Sequence, residues 1–249
     1  MLDDPDFNRS LFYPRRDSSA APAGAVDLGV SVPGAELHLR WYRSDLARAT
    51  LLLFHGNGEV VADYDPSAPA FARAGAELAI VDYRGYGRST GTPSLRAIVA
   101  DAALVLKTLA EHSPRPIIVM GRSLGSACAI DLYGRVPERV AGFILESGFV
   151  DLDEMVDRRG KSAAAIGLAE REEFDPAPKL KRGRHPLLVL HGAQDDLIAP
   201  SEGERAFALA GTNDKKLKLI EGRGHNDISD SDAYWDAIAS FVESRASDA

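Results

Sequence analysis

The chain contains a single cysteine, Cys128, among its 249 residues. One thiol cannot form a disulfide within the chain, so a disulfide-stapled scaffold is excluded and cysteine usage gives no support to secretion. The first ten residues, MLDDPDFNRS, also lack the basic flank and the apolar run of a signal peptide. We therefore expect a cytoplasmic protein.

Long apolar runs and excess positive charge are also missing. Asp, Arg, Gly or Pro interrupts every apolar stretch before the roughly 18 residues that a membrane-spanning helix requires. With 29 basic and 37 acidic side chains the formal net charge is -8, which would repel a nucleic acid at neutral pH. We expect neither integral membrane association nor a nucleic-acid partner. These features do not determine the oligomeric state. A basic cluster is interpreted as a solvated surface: Lys179, Lys181, Arg182 and Arg184.

The remaining composition is that of a globular protein. Hydrophobic residues make up 45% of the chain and charged residues 27%, and a chain of this length fits one large α/β domain. Residues 1–25 are rich in Pro, Arg, Asp and Ser and show no helical or strand period, so they predict an N-terminal arm that is packed on the surface or partly mobile. The organised domain is predicted to span residues 26–249.

Short apolar runs alternate with longer amphipathic stretches along most of this domain. An antiparallel hairpin is predicted at residues 26–30 and 36–42, because Pro33-Gly34 provides turn chemistry between them. Further strands are predicted at 50–54, 78–81, 116–120, 142–145, 187–190 and 217–220, and helices at 94–111 and 234–242. The alternation is typical of an α/β fold with a mostly parallel central sheet and helices on both faces.

About forty residues, 146–186, separate two of these strands, which is too many for a single crossover. A helix is predicted at 161–173, and the sequence FDPAP at 174–178 is expected to interrupt any helix. The segment is interpreted as a small cap insertion over an active site, and the alternative is a longer surface excursion. Five apolar residues in it are available to line a pocket: Phe149, Leu152, Met155, Ile166 and Leu168.

The pentapeptide G-R-S-L-G at residues 121–125 directly follows an apolar run and opens a helical stretch. This is the setting of a nucleophile elbow, in which a serine occupies a strained turn and flanking glycines allow close backbone approach. The turn also brings the Ser123 oxygen near a helix N-terminus, whose unpaired N–H groups favour negative charge. Ser123 is the predicted nucleophile, and the alternative is a glycine-rich turn with an incidental serine. Cys128 is interpreted as a small buried thiol.

A serine hydroxyl needs a base to take its proton, and the chain has six histidines. His225 lies in the E-G-R-G-H-N loop between the last predicted strand and the closing helix, so it is the predicted base, and the alternative is a surface-loop histidine. The other five fall in a strand, at a helix end, before a proline or in a His-Gly pair after a strand, where structural, solvated or bracing roles are expected: His38, His112, His185, His55 and His191.

The acid that orients the imidazole is expected between the serine and the histidine in chain order. The loop H-G-A-Q-D-D at 191–196 follows a predicted strand and offers two adjacent aspartates, Asp195 and Asp196, of which one is expected to face the histidine. Glu146, at the end of the preceding strand, is a third candidate. We prefer Asp195, with Asp196 capping a turn or meeting solvent.

Over residues 49–242 these motifs resemble those of the α/β-hydrolase superfamily. F-H-G-N-G at 54–58 is similar to its oxyanion loop, D-Y-R-G-Y-G-R-S at 82–89 to its glycine-rich turn, and 191–200 to its acid loop. In that family the aspartate three residues after the glycine of the His-Gly pair is the acid, which selects Asp195. The resemblance also implies that the backbone N–H groups of Asn57 and Leu124 form the oxyanion hole.

The glycine-rich turn followed by G-T-P-S at 91–94 resembles in particular the small-capped hydrolases related to protein depalmitoylases and to acylglycerol or lysophospholipid lipases. The resemblance implies a small-molecule ester or thioester substrate and an acyl-enzyme intermediate, formed by Ser123, His225 and Asp195 without a metal or an organic cofactor. A serine peptidase, a cofactor-free perhydrolase and a non-catalytic hydrolase-like ligand-binding protein are the alternatives.

Overall fold

The computed structural model describes residue 2 and residues 4–158 and 160–246, so the outer ends of the predicted arm and domain, at residues 1 and 249, lie outside it. In this part of the chain one sheet has the strand order β1-β2-β4-β3-β5-β6-β7-β8. β2 is antiparallel to β1 and β4, and every other neighbouring pair is parallel. The strands are β1 (Ala25–Val32), β2 (Ala35–Tyr42), β3 (Ala49–Phe54), β4 (Ala76–Val81), β5 (Ile117–Arg122), β6 (Val140–Glu146), β7 (Leu187–Gly192) and β8 (Lys215–Ile220).

Helices cover both faces of the sheet, so the predicted α/β class is confirmed. The helices are α1 (Pro5–Leu11), α2 (Ala68–Arg73), α3 (Leu95–His112), α4 (Ser126–Arg135), α5 (Leu152–Asp157), α6 (Leu168–Phe174), α7 (Pro176–Arg182), α8 (Pro200–Leu209) and α9 (Asp232–Ala246). Leu52 of β3 packs in the core beneath α3 and α4, whereas its neighbours Leu51 and Leu53 pack in the core beneath α2 and α9. Both faces of the strand are therefore buried, which explains its continuous apolar run. No helix of the described residues is long and apolar enough to cross a membrane.

The predicted strands are in the right places, but the observed ones are longer. The hairpin pairs as far as Val32 with Ala35, so its turn consists of Pro33 and Gly34 alone, and Gly34 adopts a φ of 77° that favours glycine. β5 continues to Arg122 because its parallel ladder to β6 persists after the apolar run ends. The carboxyl ends of the parallel strands all meet at one edge of the sheet.

The N-terminal arm contains the helix α1, which the lack of a helical period in residues 1–25 did not predict. The Asp4 carboxylate accepts the backbone N–H groups of Asp6 and Phe7, and Pro5 occupies a first-turn position that needs no N–H donor. Phe7 and Leu11 of this helix are buried in the core. A seven-residue helix contains too few apolar positions to establish a period, which is why the sequence pattern did not show it.

The segment between β6 and β7 contains α5, a 3₁₀ turn at Ala163–Ala165, α6 and α7. The helix predicted at 161–173 was wrong in extent, because the extended backbone of Gly167 (φ -67°, ψ 155°) precedes α6. The FDPAP sequence does end one helix, but it also begins the next. Asp175 is extended, its carboxylate accepts the N–H of Ala177, and Pro176 occupies the first position of α7.

The basic cluster at 179–184 lies only partly on the surface. Lys181, Arg182 and Arg184 are exposed, as predicted. Lys179, in contrast, is 6% exposed, and its Nζ lies 2.7 Å from Oδ1 of Asp131 on α4. The prediction was therefore wrong for Lys179, because the neighbouring helix supplies a carboxylate that compensates its buried charge.

Candidate active site

The predicted nucleophile lies in a sharp turn between β5 and α4. Ser123 has a φ of 49°, a left-handed conformation that is costly for a residue with a side chain. A Cβ added at Gly121 would lie 2.5 Å from the carbonyl oxygen of Gly125, and one added at Gly125 would overlap the carbonyl oxygen of Phe54. Glycine is therefore required on both sides of the serine, which accounts for the spacing of the G-x-S-x-G motif.

The predicted base lies in the loop between β8 and α9 and contacts both of its predicted partners. Nε2 of His225 lies 3.0 Å from Oγ of Ser123, and its Nδ1 lies 2.8 Å from Oδ2 of Asp195. The His225 residue is 6% exposed. A Cβ added at Gly192, where β7 ends, would overlap the carbonyl oxygen of Gly224, so the glycine of the His-Gly pair lets the two loops approach.

Every acceptor position of Asp195 is used. Its Oδ1 accepts the N–H groups of Leu197 and Ile198 at 3.0 and 2.8 Å, and its Oδ2 lies 3.2 Å from Nε2 of His191 as well as near His225. Burial alone would raise the pKa of Asp195, but the hydrogen bonds from His191, His225 and Ile198 lower it well below its usual value. The carboxylate is therefore held ionised and fixed in orientation.

The two rival acids are placed elsewhere. Asp196 is exposed. Glu146 is buried at the end of β6, where one carboxylate oxygen lies 3.0 Å from Nε of Arg122 and the other accepts the hydroxyl of Tyr234 at 2.6 Å. Of the three candidates, the structure brings Asp195 to the Nδ1 nitrogen of His225.

The predicted oxyanion residues lie beside Ser123 in the wall of the same cavity. Leu124 is in the short 3₁₀ turn that leads into α4, where N–H groups lack partners within the helix. The Asn57 side chain is engaged in holding its loop: its Nδ2 donates to the carbonyl oxygen of Leu11 at 2.6 Å, and its Oδ1 accepts the N–H of Tyr13 at 3.0 Å and the hydroxyl of Tyr86 at 2.7 Å. The loop is thereby tied to the N-terminal arm and to Tyr86.

The cavity has a volume of about 540 Å³, which lies within the range of small-molecule sites. It is lined by Leu11, Tyr13, Asn57, Glu59, Arg122, Ser123, Leu124, Phe149, Asp151, Glu154, Met155, Arg158, Leu197, Ile198, Glu202, His225 and Asn226. Phe149 and Met155 are the two of the five predicted apolar candidates that reach it. Leu168 is 75% exposed, whereas Leu152 and Ile166 are buried against the domain.

The other histidines have structural contacts. His191 braces the acid loop, because its Nε2 also lies 2.9 Å from the carbonyl oxygen of Ile198. His55 packs against the ring of Tyr83 beneath the oxyanion loop, with ring centroids 4.4 Å apart. His38 lies 3.0 Å from Asp82 within the sheet. Among the described residues, no group of three or more His, Cys, Asp and Glu side chains is arranged to hold a metal ion.

Sequence reasoning missed much of the cavity wall, including Leu11, Tyr13, Glu59 and Arg122. Leu11 and Tyr13 come from the N-terminal arm, for which the sequence offered no structural pattern. Arg122 and Glu59 form an ion pair that links the end of β5 to the loop after β3. A signal existed for Arg122, since a charge that directly follows a buried apolar strand and precedes the predicted nucleophile requires a compensating partner.

Comparison of the sequence with known proteins assigns the chain to a family. The family model described as serine aminopeptidase, S33, matches residues 45–171, which is half of the chain. The protein Bem46 of Schizosaccharomyces pombe is 33% identical over 204 residues, covering 79% of this chain and 68% of Bem46. The chain spans 68%, 62% and 48% of the lengths of three curated relatives that it matches.

Solved structures share the fold at low sequence identity. The esterase Pf2001 of Pyrococcus furiosus superposes with a TM-score of 0.75 at 18% identity and covers 93% of this chain and 98% of its own. A soluble variant of monoglyceride lipase from Saccharomyces cerevisiae superposes with a TM-score of 0.67 at 16% identity, covering 94% and 98% of the two chains. The resemblance predicted from the motifs is confirmed: the chain belongs to the serine aminopeptidase S33 family of α/β-hydrolases.

Proposed function

We propose that the protein is a serine hydrolase that cleaves carboxylic esters or thioesters through an acyl-enzyme intermediate. The observation that carries the proposal is the continuous chain of contacts from Ser123 through His225 to Asp195, next to a cavity of about 540 Å³. In this scheme Oγ of Ser123 attacks the substrate carbonyl carbon while Nε2 of His225 takes its proton.

Negative charge then develops on the carbonyl oxygen, where the N–H groups of Asn57 and Leu124 are the proposed donors. His225 returns its proton to the departing alkoxide or thiolate, and the acyl group stays on Ser123. Water, deprotonated by the same nitrogen, releases the carboxylic acid and restores the serine hydroxyl. The ionised Asp195 keeps the proton of the imidazole on Nδ1, so that Nε2 is free to act as the base.

The substrate is proposed to be a neutral ester with an apolar acyl chain. Apolar side chains line much of the cavity, whereas its acids have partners within the protein. Glu202 accepts the N–H groups of Val150 and Asp151, and the Asp151 carboxylate lies 2.6 Å from Arg205. Acids used in this way are poorly placed to bind the ammonium group of a peptide, so the arrangement favours an esterase over an aminopeptidase.

Active-site labelling and a substrate panel test the proposal. A fluorophosphonate should label the wild-type protein stoichiometrically, and Ser123→Ala should neither be labelled nor hydrolyse nitrophenyl esters, because it lacks the attacking oxygen. Ser10→Ala, which removes an equally small hydroxyl from α1, is the matched control. More than a few percent of activity in purified Ser123→Ala would overturn the proposal. A labelled protein that hydrolyses aminoacyl anilides faster than esters would identify a peptidase, and labelling without turnover of either would indicate a binding protein.

We further propose that residues 146–186 act as a cap that selects the acyl chain. Phe149 and Met155 line the cavity, so replacing each by alanine should lengthen the space for the chain and shift the preference among acetyl to palmitoyl esters towards longer substrates. Leu168→Ala, in the same segment but 75% exposed, is the control. An unchanged chain-length profile in both cavity variants would mean that Phe149 and Met155 do not select the acyl chain.

The cytoplasmic location, the lack of a nucleic-acid partner and the absence of a cofactor requirement stay predictions from the sequence. The predicted location rests on the single cysteine, and the predicted lack of a nucleic-acid partner rests on the net charge of -8. The predicted absence of a cofactor requirement rests on the chemistry of the proposed triad, in which protein side chains supply the nucleophile, the base and the orienting acid.

A further inference from the structure

Arg122 is a charged side chain held inside the candidate site. It follows the buried run of β5 directly, its side chain is 12% exposed, and it reaches the cavity wall. Burial alone would lower the pKa of Arg122, but the carboxylates of Glu146 and Glu59 raise it above its usual value. The guanidinium is therefore a permanent cation next to the predicted nucleophile.

Its first two partners come from different segments of the chain. Nε lies 3.0 Å from Glu146, at the end of β6, and Nη1 binds Glu59, in the loop after β3. Glu59 in turn orders the start of the predicted oxyanion loop, because its other oxygen accepts the N–H of Gly56 at 2.7 Å and the hydroxyl of Tyr64 at 2.6 Å. Movement of Arg122 would therefore disturb the oxyanion loop.

The remaining nitrogen reaches the histidine loop. Nη2 donates to the backbone carbonyl oxygen of His225 at 3.2 Å and to Oδ1 of Asn226 at 3.0 Å. A guanidinium is planar and its N–H groups point in fixed directions, so these contacts hold together only while the two loops keep one relative position. One ion pair would be enough to compensate the negative charge of the buried Glu146. Charge compensation alone therefore does not explain why Arg122 also contacts the carbonyl oxygen of His225.

We propose that Arg122 is a positioning residue. It holds the oxyanion loop and the imidazole of His225 in their relative positions around Ser123. The proposal rests on the proposed function, because it concerns how that triad is held. It assigns Arg122 no contact with the reacting atoms. Its substitution should therefore reduce the rate of acylation and leave the apolar surface that binds the substrate largely unchanged.

The test compares Arg122→Gln with a guanidinium at the other end of the same strand. Arg115 precedes β5, is 22% exposed, lies 3.0 Å from Glu77 and donates to the carbonyl oxygens of Ala47 and Ser44. About seven residues of extended chain, or about 20 Å, separate it from Arg122. Both variants lose a partly buried guanidinium that binds a carboxylate and carbonyl oxygens, so both should lower the melting temperature.

The readouts are kcat and KM for a short nitrophenyl ester and the second-order rate of fluorophosphonate labelling. Arg122→Gln should lower kcat and the labelling rate about 10- to 100-fold, the size of effect expected when reacting groups are misplaced by about 1 Å, and KM should stay within about twofold. Arg115→Gln should keep wild-type kcat and labelling. Asn226→Ala, which removes one acceptor and no charge, should lower kcat less than Arg122→Gln at an unchanged melting temperature.

Wild-type kcat in folded Arg122→Gln, or an equal loss in Arg115→Gln, would overturn the proposal. If Arg122→Gln does not fold, Arg122→Lys and Asn226→Ala decide, and wild-type kcat in both would overturn it. Ser123→Ala is measured in the same assay. Activity that survives in Ser123→Ala refutes the proposed function itself, whereas an inactive Ser123→Ala beside a fully active Arg122→Gln refutes only the positioning role.

Discussion

Replacing Asp195 by asparagine exchanges one carboxylate oxygen for an NH₂ group, at a side chain whose two oxygens are both engaged by donors. The wild-type carboxylate accepts two backbone N–H groups on Oδ1 and faces two imidazole nitrogens with Oδ2. An asparagine amide offers one oxygen and one NH₂ group. Whichever way it is turned, the NH₂ group meets two donors, either the backbone N–H groups or the N–H groups of His191 and His225.

The kinetic cost follows from the imidazole of His225. If the NH₂ group faces it, Nδ1 must give up its proton, and the proton then lies on Nε2, which faces Ser123 and could no longer act as the base. Loss of the orienting carboxylate from a Ser-His-Asp triad lowers kcat about 10⁴-fold, or about 5.5 kcal/mol in the barrier. We expect a loss of that size, because Asp196 is exposed and Glu146 is occupied by Arg122 and Tyr234.

The same substitution should lower stability in a pH-dependent way. An unsatisfied buried donor costs about 1–3 kcal/mol, which corresponds to roughly 2–12 °C in the melting temperature of a domain of this size. Because the pKa of Asp195 is lowered by folding, its ionised form stabilises the protein above the pKa of the unfolded chain, about 4, and this contribution is lost as the pH falls through the folded value. The difference in melting temperature between wild type and Asp195→Asn should therefore be full at pH 6 and shrink below about pH 4.

The assay is hydrolysis of a nitrophenyl butyrate ester by the purified variants, with thermal melts between pH 3 and pH 7. Asp196→Asn changes the adjacent, exposed carboxylate and should leave kcat and melting temperature unchanged. A larger loss of kcat in Asp196→Asn than in Asp195→Asn would show that the acid is assigned wrongly. Retention of more than about one percent of kcat in Asp195→Asn would refute the tautomer argument.

Two further substitutions test the fold around the site. Gly125→Ala should prevent accumulation of folded protein, because its Cβ would overlap the carbonyl oxygen of Phe54, and soluble yield with circular dichroism measures this; a folded, active variant would contradict the turn geometry. Lys179→Met leaves Asp131 with Arg135 as its ion-pair partner and should lower stability by about 1–3 kcal/mol in urea unfolding, whereas an unchanged midpoint would show that the buried pair contributes nothing net.

The parts of the fold that could be predicted were those with a long pattern. The apolar runs of β3 to β7 indicated buried parallel strands because both of their faces pack against helices. Helix α1 and the helices between β6 and β7 are only about two turns long, and their positions depend on capping by Asp4 and Asp175 and on tertiary packing. Such local effects do not generate a period, so the sequence did not predict where these helices begin and end.

The candidate triad was predictable because each of its residues follows a strand at the edge where parallel strands end. The structure brings Ser123, His225 and Asp195 into contact, and their catalytic roles stay predictions. The surrounding contacts of Arg122 and Asn57 were not predictable, because they join segments distant in the chain through side-chain geometry. Asn57 was predicted only as a backbone donor, and its side-chain contacts with Leu11 and Tyr13 appear only when the arm is placed.

The placement of Leu11 and Tyr13 in the cavity wall has a consequence for how the cavity of this protein can change. The segment that matches the family spans residues 45–171, and these two residues lie outside it. Substitutions in the arm can therefore reshape the ligand-facing surface without altering the nucleophile elbow or the sheet. Two variants of this chain that are identical over residues 45–171 but differ at Leu11 or Tyr13 would therefore present different cavity surfaces to a ligand.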